Sequence, residues 1–184
     1  MNLDGASYTI PTDRVLAGTQ ANTILSMTPT ENVVITTRIN NWDGFSTNYG
    51  GTDHTVTAFS GSFTPNSTGI HNFHWTNDDR GLMYIDINND RVFQAGERIG
   101  DYAWIGNGDV NLTADTAYNY IYMAQNFGGA AWLRLEFTPP GGSEVRVDPS
   151  DPTQAGMWNV VPEPSSLSLL GLAGLAMLRR RPAI

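Results

Sequence analysis

Outside its C-terminal tail, no stretch of this chain sustains a 3.6-residue apolar period across three turns, whereas short period-two runs are plentiful. Asn32 to Ile39, containing Val33, Val34, Ile35, Thr36 and Thr37, is rich in β-branched residues, as is Thr55 to Phe59. Phe73 and Trp75 share one strand face, and so do Leu133, Leu135 and Phe137, with Arg134 and Glu136 opposite. Tyr118, Tyr120 and Tyr122 alternate against Ile121 and Met123. Turn signals punctuate these runs at Asp43-Gly44, Gly50-Gly51, Pro65-Asn66, Gly106-Asn107-Gly108 and Gly128-Gly129. Many short strands with such turns predict an all-β fold, an antiparallel sandwich or barrel.

The 184 residues suffice for one domain plus appendages. Hydrophobic residues make up 40%, so a core is feasible. With no cysteine, disulfides, thiolate metal sites and a cysteine nucleophile are excluded. All ten basic residues are arginine, and Arg179, Arg180 and Arg181 lie in the last six positions. The rest sets 7 arginines against 18 carboxylates, a net of −11, which repels phosphate backbones and argues against nucleic-acid partners.

Composition divides the chain. Residues 139–164 have the Pro, Gly and Asp content of a linker, without apolar periodicity. An uncharged run from Pro164 to Leu178 follows, closed by the three arginines. As a helix, Leu167 to Leu178 reaches about 18 Å, short of a roughly 30 Å hydrocarbon core. The Pro164 flank and snorkelling arginines bring residues 164–181 nearer to spanning an inner membrane. Positive charge stays cytoplasmic, which places the preceding chain outside.

Val161, Pro162, Glu163 and Pro164, then a short Gly-Leu-Ala run and the cluster Arg179 to Arg181, resemble a PEP-CTERM sorting signal. The resemblance covers residues 160 to 184. It implies an exported protein held in the inner membrane until an exosortase-type protease cleaves near Pro-Glu-Pro and passes it to the surface or matrix. Met1 to Ala6 has no basic n-region or apolar h-region. The reading is therefore an N-terminally truncated or mis-started frame, the alternative being that the tail is not an export signal.

A second series occurs in order: Phe59 to Pro65, Thr68 to Phe73, Asn77 to Asp86, Val110 to Asp115 and Ala131 to Gly142. Together they resemble the protective-antigen-type domain, a fourteen-kilodalton β-module of adhesins, glycosidases, toxins and surface proteins. The organisation expected is poorly matched N-terminal strands over 1–54, the β-domain over 55–142, a linker over 143–160 and the sorting tail, a hydrophobic helix, over 161–184.

Two acidic segments are candidate calcium sites. Adjacent side chains on an extended chain point to opposite faces, so Asp78 and Asp79 do not easily meet one cation. In sugar-binding members of the resembled family the peptide between such aspartates is cis, turning both toward calcium, and a second sugar-contacting loop lies near Gln125 to Gly129. The resemblance thus implies Asp78, Asp79 and Asn126 as ligands, with a solvated turn as the plain alternative. In the second segment Asp86, Asn88, Asp90 and Glu97 occupy loop positions 1, 3, 5 and 12, the spacing of an EF-hand. Arg91 stands where that loop has glycine, and Leu82 to Ile85 reads as strand, so an EF-like calcium loop inside a β-domain competes with an Asn/Asp-rich hairpin turn.

His71 and His74, on opposite strand faces, make no metal centre by spacing. Trp42, Tyr49, Trp104 and Trp132 are candidates for stacking on sugar rings. There is no Gly-x-Ser-x-Gly elbow, phosphate loop, dinucleotide fingerprint or His-Glu-x-x-His. The expectation is a noncatalytic exported protein with calcium-dependent glycan binding. The alternatives are a structural surface or biofilm-matrix component, and the C-terminal fragment of a larger glycoside-processing enzyme.

Overall fold

A computed structural model describes residues 3–9, 20–26, 31–35, 39–41, 55–127 and 132–159. The sorting tail, Trp42 and Tyr49 lie outside the described residues. The strands are β1 (Leu3–Thr9), β2 (Glu31–Ile35), β3 (Asn40–Asn41), β4 (Thr55–Phe63), β5 (Gly69–Ile85), β6 (Arg98–Leu112), β7 (Tyr118–Asn126), β8 (Leu133–Thr138), β9 (Val145–Arg146) and β10 (Trp158–Asn159). They join in one ten-stranded sheet, ordered β2-β1-β4-β7-β5-β8-β3, with β10 on β4, β6 on β5 and β9 on β8. Every pairing is antiparallel. The fold is therefore all-β and antiparallel, as the alternation predicts.

Period-two alternation gives the sheet a core on each side. Phe59, Phe63, Phe73, Trp75, Met83, Ile85, Tyr118, Tyr120, Tyr122, Leu133, Leu135 and Phe137 belong to one buried cluster. The intervening Val56, Ala58, Leu82, Tyr84, Ile121 and Met123 belong to a second, closed by Phe93 and by Ala21 and Ile24 of α1 (Gln20–Leu25). This short helix departs from the all-strand reading of the body. Asn22 pins it: its side-chain amide donates to Phe93 C=O (2.7 Å) and accepts from Phe93 N–H (3.0 Å).

The N-terminal strand β1 runs in register along β4 from Asp4↔Ser60 to Thr9↔Thr55. Two further expectations are corrected. Gly106-Asn107-Gly108 is not a turn but lies within β6, paired with His74 and its neighbours on β5. Glycine is needed at 106 because a Cβ there would come within 2.3 Å of the Trp75 indole. Finally, residues 143–159 are no linker. Val147 and Trp158 are fully buried, and the Trp158 ring lies 4.5 Å from Phe63 and 5.3 Å from Tyr120. Its Nε1–H donates to Gln154 Oε1 (3.0 Å), whose side-chain amide donates to Arg146 C=O (2.6 Å). Sparse anchors among Pro, Gly and Asp carry no periodicity, which is why composition misreads the segment.

Among the described residues no helix is long and apolar enough to cross a membrane.

Candidate functional site

β5 changes partners halfway along its length. Asn72 to Asn77 pair with β8, and Arg80 to Ile85 pair with β7. Asp78 and Asp79 fall between, where the sheet divides. Backbone groups at such a division lose a ladder partner and must find another. Here the two ends of the β7–β8 connection supply them: Asp78 N–H donates to Trp132 C=O (2.9 Å), and Phe127 N–H donates to Asp79 Oδ2 (2.5 Å). The Asp78–Asp79 peptide bond is cis. Both side chains are half-buried.

The floor of this corner is fixed by its neighbours. The Asn77 side chain is fully buried, hydrogen-bonds the Tyr122 hydroxyl, and with its amide oxygen facing Gly81 accepts from that N–H (3.0 Å). A Cβ at Gly81 would strike the Asn77 side-chain amide at 1.7 Å, so the turn back into the ladder requires glycine. Arg80 lies over the Tyr102 ring at 5.3 Å, and the Tyr102 hydroxyl donates to Gln125 Oε1.

Electrostatics set Asp78 apart from an ordinary surface carboxylate. Partial desolvation, and secondarily the Asp79 charge, push the Asp78 carboxyl above the usual carboxylate range. Among the described residues neither forms a salt bridge, since Arg98 and Arg134 pair elsewhere. Asn126 ends β7 in register with Thr55 and is buried, next to Phe127. The donor set of Asp78, Asp79 and Asn126 is all oxygen, which fits a hard divalent cation such as calcium.

On the other side of β5 the ladder to β6 is interrupted between Thr76↔Ile105 and Gly81↔Ala103. One residue, Trp104, therefore stands opposite the four from Asn77 to Arg80. It is 57% exposed, far more than a core tryptophan. Sequence alone offers Trp104 only as one aromatic among several; the register break sets it across the ladder from the aspartates. Trp132 is half-buried beside the corner.

The second acidic segment lies apart, after β5. Asp86 is fully buried, accepting from Asp90 N–H (3.1 Å) and Arg91 N–H (2.9 Å) and from Asn119 Nδ2 (2.9 Å). Asn88 Oδ1 accepts from Asp90 N–H (2.9 Å), and Asp90 Oδ1 from Val92 N–H (2.8 Å). Glu97, buried in a 3-10 turn, accepts from Ile87 N–H (2.9 Å) and Gln94 N–H (3.0 Å). The structure thus gathers all four residues into one loop, which closes on itself through charge-assisted hydrogen bonds. Arg91, where an EF-hand has glycine, adopts φ 66°.

His71 is buried against Phe63, and burial lowers its pKa. His74 faces the other way, as the strand period requires, and meets Glu136 and Glu144.

Residues 160–181 match the model of the PEP-CTERM protein-sorting motif. No curated protein matches the chain. Among solved structures, an anti-sigma factor domain-containing protein from Clostridium clariflavum superposes with TM-score 0.63 at 14% identity, over 89% of this chain and 48% of that one. The chain thus spans about half the length of that structure. The PA14 sugar-binding domain from an RTX adhesin gives TM-score 0.58 at 16% identity, over 80% of this chain and 95% of that one. The A domain of epithelial adhesin 9 from Candida glabrata, solved with Galβ1-4GlcNAc, gives 0.58 at 16% identity over 89% and 90%. At such identities the likeness is one of fold. The chain carries a PEP-CTERM sorting motif behind an antiparallel β-domain similar in fold to the PA14 sugar-binding domain.

Proposed function

We propose that the chain is an exported, noncatalytic surface or matrix protein that binds glycans through calcium at the Asp78–Asp79 corner. The observation that carries this reading is the hydrogen bond from Phe127 N–H to Asp79 (2.5 Å). It joins the two segments, distant in sequence, that resemble the sugar-contacting loops of the protective-antigen-type domain. Similarity of fold to a sugar-binding domain and to an adhesin domain solved with a disaccharide supports it. Asp78, Asp79 and Asn126 would hold the ion, which when bound neutralises the pair and offers coordination positions to sugar hydroxyls. Trp104, exposed across from the aspartates, provides an apolar wall for a ring face. The sorting motif supports export, anchoring in the inner membrane through residues 164–181 and processing by an exosortase-type protease.

A second reading is favoured by the self-closed loop from Asp86 to Glu97. Calcium held there by Asp86, Asn88, Asp90 and Glu97 would stiffen a turn and make the protein a structural component. A glycan array probed in calcium and again in chelator separates the two. Binding lost on chelation supports the first reading. Binding to no glycan, with calcium still raising the melting temperature, supports the second.

A further inference from the structure

His74, Glu136 and Glu144 come together on the strand face opposite the Trp75 side of β5. His74 pairs in register with Glu136 on β8, and Glu136 in turn pairs with Arg146 on β9. Glu144 precedes β9 and reaches back over the row. His74 Nδ1 lies 3.1 Å from Glu144 Oε2 and 3.3 Å from Glu136 Oε2, and the three atoms lie within 4.8 Å of one another. Ligands about 2.0–2.1 Å from a tetrahedral ion are about 3.3 Å apart, so two edges of such a site are already in place.

A second observation concerns Glu136 itself. The residue is 6% exposed, and its Oε2 has no hydrogen-bond partner among the described residues. Arg134 Nε is 3.1 Å away, but it too lacks a hydrogen-bond partner, so its N–H is not aimed at that oxygen. Arg146 Nε attends the other oxygen at 3.6 Å. A buried carboxylate oxygen without a donor is costly, and this one faces the imidazole.

We propose that His74, Glu136 and Glu144 bind a zinc-type divalent cation, with a fourth position open to water. One imidazole nitrogen and two carboxylates suit zinc better than calcium, which takes oxygens. Arg134 and Arg146 are the outer partners that orient Glu136 and balance the two carboxylates. The ion ties the start of the C-terminal segment, at Glu144, to the middle of β5. His74 stands four residues before Asp78, roughly 13 Å along the strand, so the site is separate from the glycan corner.

The test uses the full chain in detergent with excess calcium, titrated with zinc and in parallel with cobalt(II). One equivalent should bind, and cobalt should give the intense visible absorption of a four-coordinate nitrogen–oxygen site. His74→Gln and Glu144→Gln should each weaken zinc binding at least tenfold while keeping the far-UV spectrum and the chelator melting temperature. Asp79→Asn should leave zinc binding unchanged, which separates this proposal from the glycan reading. Zinc binding no tighter in the wild type than in His74→Gln, or unaffected by both variants, overturns it and leaves the triad an ion-pair cluster.

Discussion

Asp86→Ala separates a loop that closes on itself from one that needs an ion. Asp86 is fully buried and accepts three hydrogen bonds, from Asp90 N–H, Arg91 N–H and Asn119 Nδ2. Hydrogen bonds to a charged acceptor contribute about 1.5–3 kcal/mol each. Asp90 and Arg91 are exposed, however, so their N–H groups can turn to water once the carboxylate is gone. Only the Asn119 amide, half-buried against the sheet, bears most of the desolvation penalty. The expected loss is therefore about 3 kcal/mol, well below the additive value. In a chain of this size that is about 6–12 °C in Tm. The loss should appear in chelator, because the donors are the protein's own. Asp90→Ala, at an exposed position, should cost less than about 1 kcal/mol under the same conditions. The assay is urea and thermal unfolding of wild type and both variants, with calcium and with chelator. An Asp86→Ala loss below about 1 kcal/mol in chelator would refute the reasoning and make the loop's order depend on calcium.

Trp158→Ala should destabilise by about 3–5 kcal/mol in urea unfolding, because it empties a site among Phe63, Tyr120 and Phe137 and removes the indole N–H that donates to Gln154. A loss under 1 kcal/mol would return residues 143–159 to the status of a linker. Arg91→Gly should stabilise by about 0.5–1 kcal/mol, since Arg91 sits at φ 66° where glycine carries no Cβ penalty; a lower Tm for the variant would contradict this. Asp78 has its pKa raised by desolvation and then by Asp79, so the ligand-free fold favours its protonated form and loses that stability as pH rises through the raised value. Asp78→Asn should accordingly raise Tm in chelator at neutral pH, with the gain vanishing in acid. An unchanged or lowered Tm at neutral pH would count against the electrostatic account of the corner.

The strands were legible because each carries its own period. Tyr118, Tyr120 and Tyr122 face one core while Ile121 and Met123 face the other, and Leu133, Leu135 and Phe137 oppose Arg134 and Glu136. What depends on strand neighbours was not. Gly106 and Gly108 look like turn residues until the Trp75 ring and the Gly100 backbone are seen to exclude a Cβ. Trp158 stands alone in an aperiodic stretch, and its partners lie on β4, β7 and β8. The aspartate pair was legible through its resemblance, but the reason it forms a corner is not local: β5 exchanges β8 for β7 between Asn77 and Arg80. The triad of His74, Glu136 and Glu144 has no linear signature, since register alone sets His74 against Glu136.

The corner of Asp78, Asp79, Asn126 and Trp104 is the proposed glycan site. Its most direct test is the calcium-dependent affinity of the strongest array ligand for wild type, Asp79→Asn and Trp104→Ala. Asp79→Asn removes one charge from the cation's ligand set and weakens the acceptor for Phe127 N–H, so binding should fall at least tenfold. Trp104→Ala leaves the aspartates in place and should weaken the sugar while sparing calcium, because the ring is 57% exposed and outside the core. Both variants should keep the β-rich far-UV spectrum. Glycan binding that survives chelator and Asp79→Asn would contradict the account and move the site elsewhere on the sheet.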